Sequence, residues 1–146
     1  MCFYLKSPDN PPSAAPELSL DEIERITRSL GRLLWLAFSG GEVYLRKDLV
    51  EISKLFYDRN SPAVMLYPSN GLLPDLIRDQ TEQIAKHCHS SVVVVKLSLD
   101  GVGSEHDKLR DTRGNFDKTM QTYKLLLGLL DANPNFELGF NTVLTA

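Results

Sequence analysis

Short apolar runs alternate along this chain with segments in which apolar residues recur every three or four positions. The runs at 33–39, 64–67, 92–99 and 136–144 have the length and composition of β-strands. The segments with helical spacing begin at Ser19, near Leu45, at Leu73 and at Phe116. Because the last three helices would each connect two successive strands by a crossover, the pattern predicts an α/β fold with a parallel sheet of about four strands and four helices.

The first two predicted elements have the clearest local signals. Ser19 and Glu22 form the S-x-x-E capping box of a helix start, and Gly31 follows as a helix stop. The run at 33–39 is almost wholly apolar, which is typical of a strand buried on both faces, so we expect Trp35 in the core. Helical periodicity places a further set of side chains on inward faces: Leu20, Ile23, Ile26, Leu30, Leu45, Leu49, Ile52, Phe56, Met120 and Tyr123.

Composition and charge exclude several classes of protein. The chain has 146 residues and a formal net charge of −3, from 16 Lys and Arg against 19 Asp and Glu. A nucleic-acid-binding protein would show a basic excess, so no nucleic-acid partner is expected. No apolar run approaches the roughly 18 residues that span a bilayer, and no signal peptide is visible, so we expect a cytoplasmic protein with no membrane partner. The two cysteines, Cys2 and Cys88, are too few for a disulfide framework.

Small and polar residues follow the predicted strands at their carboxyl ends. The segments S-G-G-E at 39–42, P-S-N-G at 68–71 and S-L-D-G at 98–101 come after the first three runs, and Asn141 lies in the last. Ligands of parallel α/β folds bind at this edge, where glycines admit a ligand to the backbone and polar side chains supply hydrogen-bonding groups. Any one of these glycines is also consistent with an ordinary turn. Their recurrence at one edge of the sheet favours a ligand site.

The same motifs together resemble those of the radical S-adenosylmethionine (SAM) enzymes. The resemblance depends on S-G-G-E at 39–42, S-L-D-G at 98–101, His106-Asp107, Arg113-Gly114 and N-T-V-L at 141–144, and it extends over nearly the whole chain. The tetrapeptide M-C-F-Y at 1–4 resembles the end of the family's C-x-x-x-C-x-x-C cluster loop. The implied fold is a partial (β/α) barrel of parallel strands alternating with helices.

The resemblance implies two cofactors, a [4Fe-4S] cluster and SAM. Cys2 would be the third of three thiolate ligands of the cluster, and Asn141 would lie near the adenosine of SAM. Reductive cleavage of SAM would give methionine and a 5′-deoxyadenosyl radical, which takes a hydrogen atom from a peptide or small-molecule substrate. The electron would come from a donor such as flavodoxin or ferredoxin.

The remaining implied SAM contacts lie on the first and third predicted strand ends. Gly40, Gly41 and Glu42 would bind the methionine amino end of SAM, largely through backbone carbonyls. Ser98 and Asp100 would lie near the ribose or the substrate. The resemblance therefore places the whole site at the carboxyl edge of the sheet.

The chain departs from the family at the cluster, because the first two cysteines of the loop are absent. Cys88 lies at the end of a predicted helix, on the opposite side of such a fold, and one thiolate cannot hold a [4Fe-4S] cluster. We therefore expect residues 1–146 to be a fragment of a radical SAM core domain, incomplete at both ends and inactive by itself, with a cluster-loop remnant at 1–16. The alternative is a degenerate, non-catalytic α/β module that binds SAM or a nucleotide without a cluster. A transferase with a phosphorylated ligand is disfavoured, since no glycine-rich phosphate loop is present.

Two histidine-containing segments have plainer interpretations than a reactive site. His87-Cys88-His89 resembles a metal cluster, but adjacent residues at a helix end do not easily converge on one ion, and we interpret them as a helix terminus. His106-Asp107 resembles the family's capping segment before the fourth helix, with an acid–base pair as the alternative. The charged residues from 107 to 113 are expected to form a solvated loop.

Overall fold

Five helices and four strands form between residues 17 and 143, the part of the chain that the computed structural model describes. A short 3₁₀ turn spans Val43–Leu45. The strands are β1 (Trp35–Ala37), β2 (Val64–Ser69), β3 (Val92–Ser98) and β4 (Phe136–Asn141). The helices are α1 (Leu20–Ser29), α2 (Leu49–Asn60), α3 (Pro74–His87), α4 (Ser104–Arg110) and α5 (Asn115–Leu127).

The four strands form one parallel sheet in the order β1-β2-β3-β4. One row of register partners runs across the sheet through Ala37, Leu66, Val94 and Glu137. Each strand therefore lies beside the next one along the chain, and helical segments connect them. The α/β prediction with a parallel sheet is confirmed.

The two faces of the sheet have different surroundings. Side chains on one face, including Met65, Tyr67, Val93 and Val95, are fully buried in a core with α2, α3 and α5. We call the opposite side of the sheet the open face. Along each strand, its residues alternate with those that point into the core. Its members are Trp35, Ala37, Val64, Leu66, Pro68, Val92, Val94, Lys96, Ser98, Glu137, Gly139 and Asn141.

The prediction that Trp35 belongs to the core is wrong. Trp35 is 59% exposed, and its register partner is Val64 on the open face. The run at 33–39 is not buried on both faces either, since Leu34, directly before β1, is 80% exposed. An apolar run shows that a segment can be buried, but it does not show which of its faces the neighbouring helices cover.

Three further expectations about the helices need correction. Leu45 lies in the 3₁₀ turn rather than on α2 and is 65% exposed, because the helix begins four residues later at Leu49. Of the predicted α1 stripe, Ile23 alone is buried. The segment at 104–110 forms α4 instead of a loop, and its mostly polar sequence has little apolar periodicity to predict a helix.

Two asparagines tie helix ends to the strands that follow. The Asn60 side-chain amide donates to the carbonyls of Thr27, Leu30 and Gly31 at the end of α1. The Asn135 amide donates in the same way at the end of α3, to Ala85, Cys88 and Ser91. Asn60 is the last residue of α2, shortly before β2, and Asn135 directly precedes β4. Both sets of hydrogen bonds therefore lie at the amino edge of the sheet, opposite the polar strand ends.

Candidate functional site

The Glu42 side chain joins the end of β1 to the end of β2. Its carboxylate accepts hydrogen bonds from the Asn70 backbone N–H at 2.7 Å and the Ser69 hydroxyl at 3.0 Å. A longer bond of 3.4 Å comes from the Tyr44 N–H within the 3₁₀ turn. Burial raises the pKa of Glu42 above its usual value, against the opposing effect of these donors. The carboxylate of Glu42 is therefore occupied by groups of the chain itself.

The two glycines before Glu42 present open backbone. Gly40 and Gly41 are exposed, and a Cβ added at either would meet no atom of residues 17–143 within 4 Å. Gly40 has a φ of +138°, a conformation that side-chain-bearing residues rarely adopt. Because packing against the described chain does not require a glycine at either position, the segment has room for a ligand to approach its peptide groups.

The loop after β2 is fixed from the other side by α5. The Thr119 hydroxyl donates to the Asn70 carbonyl at 3.1 Å, and the Thr122 hydroxyl donates to the Gly71 carbonyl at 2.6 Å. Both threonines are fully buried. The Gly40–Glu42 segment, the β2 loop and α5 thus form one continuous hydrogen-bonded support at the carboxyl edge of the sheet.

Asp100 performs a similar joining role at the ends of β3 and β4. Its side chain is 7% exposed and lies 2.7 Å from the Arg110 Nε, although the Nε–H is not aimed well enough at the carboxylate for a hydrogen bond. The other carboxylate oxygen accepts from the Val143 N–H at 3.0 Å. The carboxylate of Asp100 therefore faces Arg110 and the residues that follow β4.

His106 is completely buried beneath Asp100 and connects α4 to α5. Its Nδ1 accepts from the Asp100 backbone N–H at 3.1 Å, so in the neutral ring Nε2 has the proton and donates to the Asn115 Oδ1, also at 3.1 Å. The ring makes an edge contact with Phe116. This geometry gives His106 a structural role in holding the β3 loop on α5.

Asp107 caps the fifth helix. Its carboxylate accepts from the backbone N–H groups of Gly114 at 2.6 Å and Phe116 at 2.9 Å. These two bonds lower the pKa of Asp107. The capping interpretation is confirmed for Asp107, whereas His106 connects the β3 loop to α5 without capping a helix. The expectation of a wholly solvated loop is wrong for Arg110, whose side chain is 19% exposed against Asp100.

Ser98 and Asn141 lie together near the carboxyl edge of the open face. They are register partners on β3 and β4, and Asn141 lines an open cavity of about 460 Å³. The cavity has an apolar half and a polar half. The apolar half is formed by Trp35, Val64, Leu66, Val92 and Val94, and the polar half by Lys96, Glu137 and Asn141.

No protein-family model matches the chain. Among curated proteins, it is 32% identical to the PqqA peptide cyclase of Rhodopseudomonas palustris over 102 residues, 68% of this chain and 25% of the relative. It is 26% identical to the AdoMet-dependent heme synthase of Methanosarcina barkeri over 129 residues, 86% of this chain and 35% of the relative. The Fe-coproporphyrin III synthase of the same organism is 34% identical over 86 residues, 59% of this chain and 20% of the relative.

All three relatives are radical SAM proteins. The chain belongs to the radical SAM superfamily. It spans 20–35% of the length of these curated relatives. The similarity therefore bears on one part of each relative.

Residues 17–143 supply no set of ligands for the iron–sulfur cluster of this superfamily. Cys2 lies outside the described residues. Cys88 is fully buried at the end of α3, near the amino edge of the sheet, and burial raises its pKa to about 12. Between residues 17 and 143, no group of three or more His, Cys, Asp or Glu side chains is arranged to share a metal ion. The described residues of this radical SAM chain thus contain no set of side chains that would hold an iron–sulfur cluster.

Sequence reasoning missed Lys96 and Gly139, which lie on the open face of this radical SAM sheet. The signal available was a single charged residue inside the apolar run at 92–99. Register shows that Gly139 lies directly beside Lys96, and a Cβ added there would overlap the lysine Nζ.

Among the helices of residues 17–143, none is both long enough and apolar enough to cross a bilayer.

Proposed function

We propose that this chain forms the SAM- and substrate-binding part of a radical SAM enzyme, a partial (β/α) barrel with its interior on the open face. The observation that supports this most is the combination of exposed backbone at Gly40 and Gly41 with Ser98 and Asn141 at the same edge. A reduced [4Fe-4S] cluster and bound SAM supply the hydrogen-abstracting radical chemistry of this superfamily. The protein's own contribution is to bind, orient and shield the ligands.

Each residue has a distinct task in this proposal. The peptide groups of Gly40 and Gly41 bind the methionine end of SAM, and Glu42 fixes that segment to β2 through its own carboxylate. The side chains of Ser98 and Asn141 bind the ribose and adenine. Asp100 is a positioning residue, because its carboxylate joins Arg110 to the residues after β4 rather than lying free on the open face.

Cluster binding requires thiolates that the described residues do not supply. We propose Cys2 as one cluster ligand, as the M-C-F-Y segment at 1–4 suggests. The printed sequence has two cysteines in all, whereas a cluster with one open iron takes three cysteine ligands. Assembly would therefore need further thiolates beyond the 146 residues printed here.

The names of the relatives suggest the kinds of substrate to test. One relative is named a peptide cyclase, and two others are named for heme or coproporphyrin synthesis. A peptide or a small organic molecule on the open face is consistent with a cavity of about 460 Å³, within the usual size range of ligand sites. A flavodoxin or ferredoxin as electron donor, and a cytoplasmic location, remain predictions.

SAM binding can be tested on the chain itself with two matched glycine variants. We expect isothermal titration calorimetry to show SAM binding to the wild-type chain, and Gly41→Val to weaken it about tenfold or more, because the valine occupies the approach to the backbone. Gly31→Val is the control, since Gly31 is also exposed, with nothing within 4 Å of an added Cβ. Equal SAM affinity in Gly41→Val and Gly31→Val, or no SAM binding by the wild-type chain, would contradict the proposal.

The alternative, a module that binds SAM without radical chemistry, is separated by a second measurement. The full-length protein, isolated anaerobically, is expected to contain iron and acid-labile sulfide and to form 5′-deoxyadenosine from SAM under reducing conditions. SAM binding without iron, sulfide or 5′-deoxyadenosine would favour the non-catalytic alternative.

A further inference from the structure

The open face is divided into an apolar side and a charged side. Trp35, Val64 and Leu66 on β1 and β2 form a continuous apolar surface, and Trp35 is 59% exposed. Lys96 on β3 and Glu137 on β4 are the charged groups of the same cavity. A ligand that matches this surface has an apolar body and at least one charged group.

The Lys96 ammonium has a defined place on the charged side. The side chain lies across Gly139 on β4, where any larger residue would overlap Nζ. Lys96 forms no ion pair with another residue of the range 17–143, and Glu137 is not within ion-pair distance of it. An ammonium that is partly removed from water and held over a glycine is suited to pairing with an incoming anion.

Glu137 gives the ligand a direction. It is the register partner of Val94, and this pair lies two residues closer to the amino edge of the sheet than the Lys96–Gly139 pair. Its negative charge repels a carboxylate from that part of β4, whereas the apolar side at Trp35, Val64 and Leu66 attracts the body of the ligand. A carboxylate is thereby directed to Lys96, toward the carboxyl edge where the SAM site is proposed.

We propose that the open face binds a substrate with an apolar body and a carboxylate, and that Lys96 pairs with this carboxylate. The inference depends on the proposed function only in assigning this ligand the role of substrate. Lys96 is thus a specificity-determining residue that selects acids over neutral molecules of the same shape. Gly139 contributes by leaving the space in which the ammonium lies.

Octanoate and octanamide are suitable probes, because they share an apolar chain and differ in charge. Trp35 is the single tryptophan of the chain and lines the cavity, so its fluorescence reports binding of both probes. We expect the wild-type chain to bind octanoate about three- to tenfold more tightly than octanamide, a preference that weakens with added salt. Equal affinities for the two probes would overturn the inference.

Three variants assign the preference to Lys96. Lys96→Met is expected to abolish it, Lys96→Arg to retain it, and Gly139→Ala to reduce it by displacing the ammonium without removing the charge. Circular dichroism and thermal melts verify that each variant is folded. If Lys96→Met does not fold, Lys96→Arg and Gly139→Ala still test the assignment. A preference that survives in Lys96→Met would contradict the assignment.

SAM titration of the same variants separates this inference from the proposed function. We expect Lys96→Met to bind SAM with wild-type affinity, because Lys96 serves the substrate. A large loss of SAM affinity in Lys96→Met, with the octanoate preference unchanged, would assign Lys96 to SAM and overturn the inference while supporting the SAM site. An octanoate preference without any SAM binding would leave the carboxylate site standing and contradict the proposed function.

Discussion

Replacing His106 with alanine is expected to lower the free energy of unfolding by about 3–4 kcal/mol. The ring is fully buried, and its removal leaves a cavity against Phe116. It also leaves the Asp100 backbone N–H and the Asn115 Oδ1 without the imidazole that each now bonds. Both effects act on the same short connection between β3 and α5, so the loss should rank among the largest of any single substitution.

Chemical denaturation of His106→Ala measures this loss directly. His89→Ala is the control, because His89 is an exposed histidine whose ring bonds only the adjacent Ser90 among the described hydrogen bonds. The control should change the free energy of unfolding by less than about 0.5 kcal/mol. A loss below about 1 kcal/mol in His106→Ala would show that the buried ring does not hold the two segments together.

Replacing Glu42 with alanine should destabilise the fold by about 2–3 kcal/mol. The substitution removes the acceptor of the Asn70 N–H at 2.7 Å and of the Ser69 hydroxyl at 3.0 Å. The β1 and β2 ends would then separate more easily, and the exposed Gly40–Gly41 backbone would lose its support. Glu51→Ala, at an exposed glutamate on α2, is a control that should change stability by about 0.5 kcal/mol or less.

Glu42→Gln adds a test based on pH. The native pKa of Glu42 is raised above its ordinary value of 4.5, so the native carboxyl keeps its proton to higher pH than the unfolded one. The stability due to this group is therefore fully present below pH 4.5 and is lost as the pH rises through the raised native pKa. Glutamine does not titrate, so the stability of wild type minus that of Glu42→Gln should decrease as the pH rises through this window. A difference that is constant or increases with pH would contradict the raised pKa.

The sequence predicted much of the fold because periodicity reports on burial. The strands at Val64–Ser69 and Val92–Ser98 and the capping box at Ser19 are found close to where they were expected. The failure at Trp35 has a physical reason. An apolar residue on a strand is consistent with burial beneath a helix and with exposure in a ligand cavity, and only the packing of the sheet distinguishes the two.

The candidate site was predictable at the level of its edge but not of its contacts. Glycines and polar residues after the strands indicated where a ligand could approach, and parallel topology brings those strand ends together. The partners of Glu42 and His106 come from segments that are distant in the chain, such as Asn70 and Asn115. The position of the Lys96 side chain depends on Gly139, which lies 43 positions later but directly beside it in the sheet, so the sequence alone did not indicate it.

A SAM site at the carboxyl edge of the sheet can be tested by titrating the ¹⁵N-labelled chain with SAM and recording amide chemical shifts. We expect the largest shift changes at Gly40, Gly41, Ser98 and Asn141, with little change on α2 and α3. Changes confined to those helices, or no changes at saturating SAM, would contradict a SAM site at the carboxyl edge of the open face.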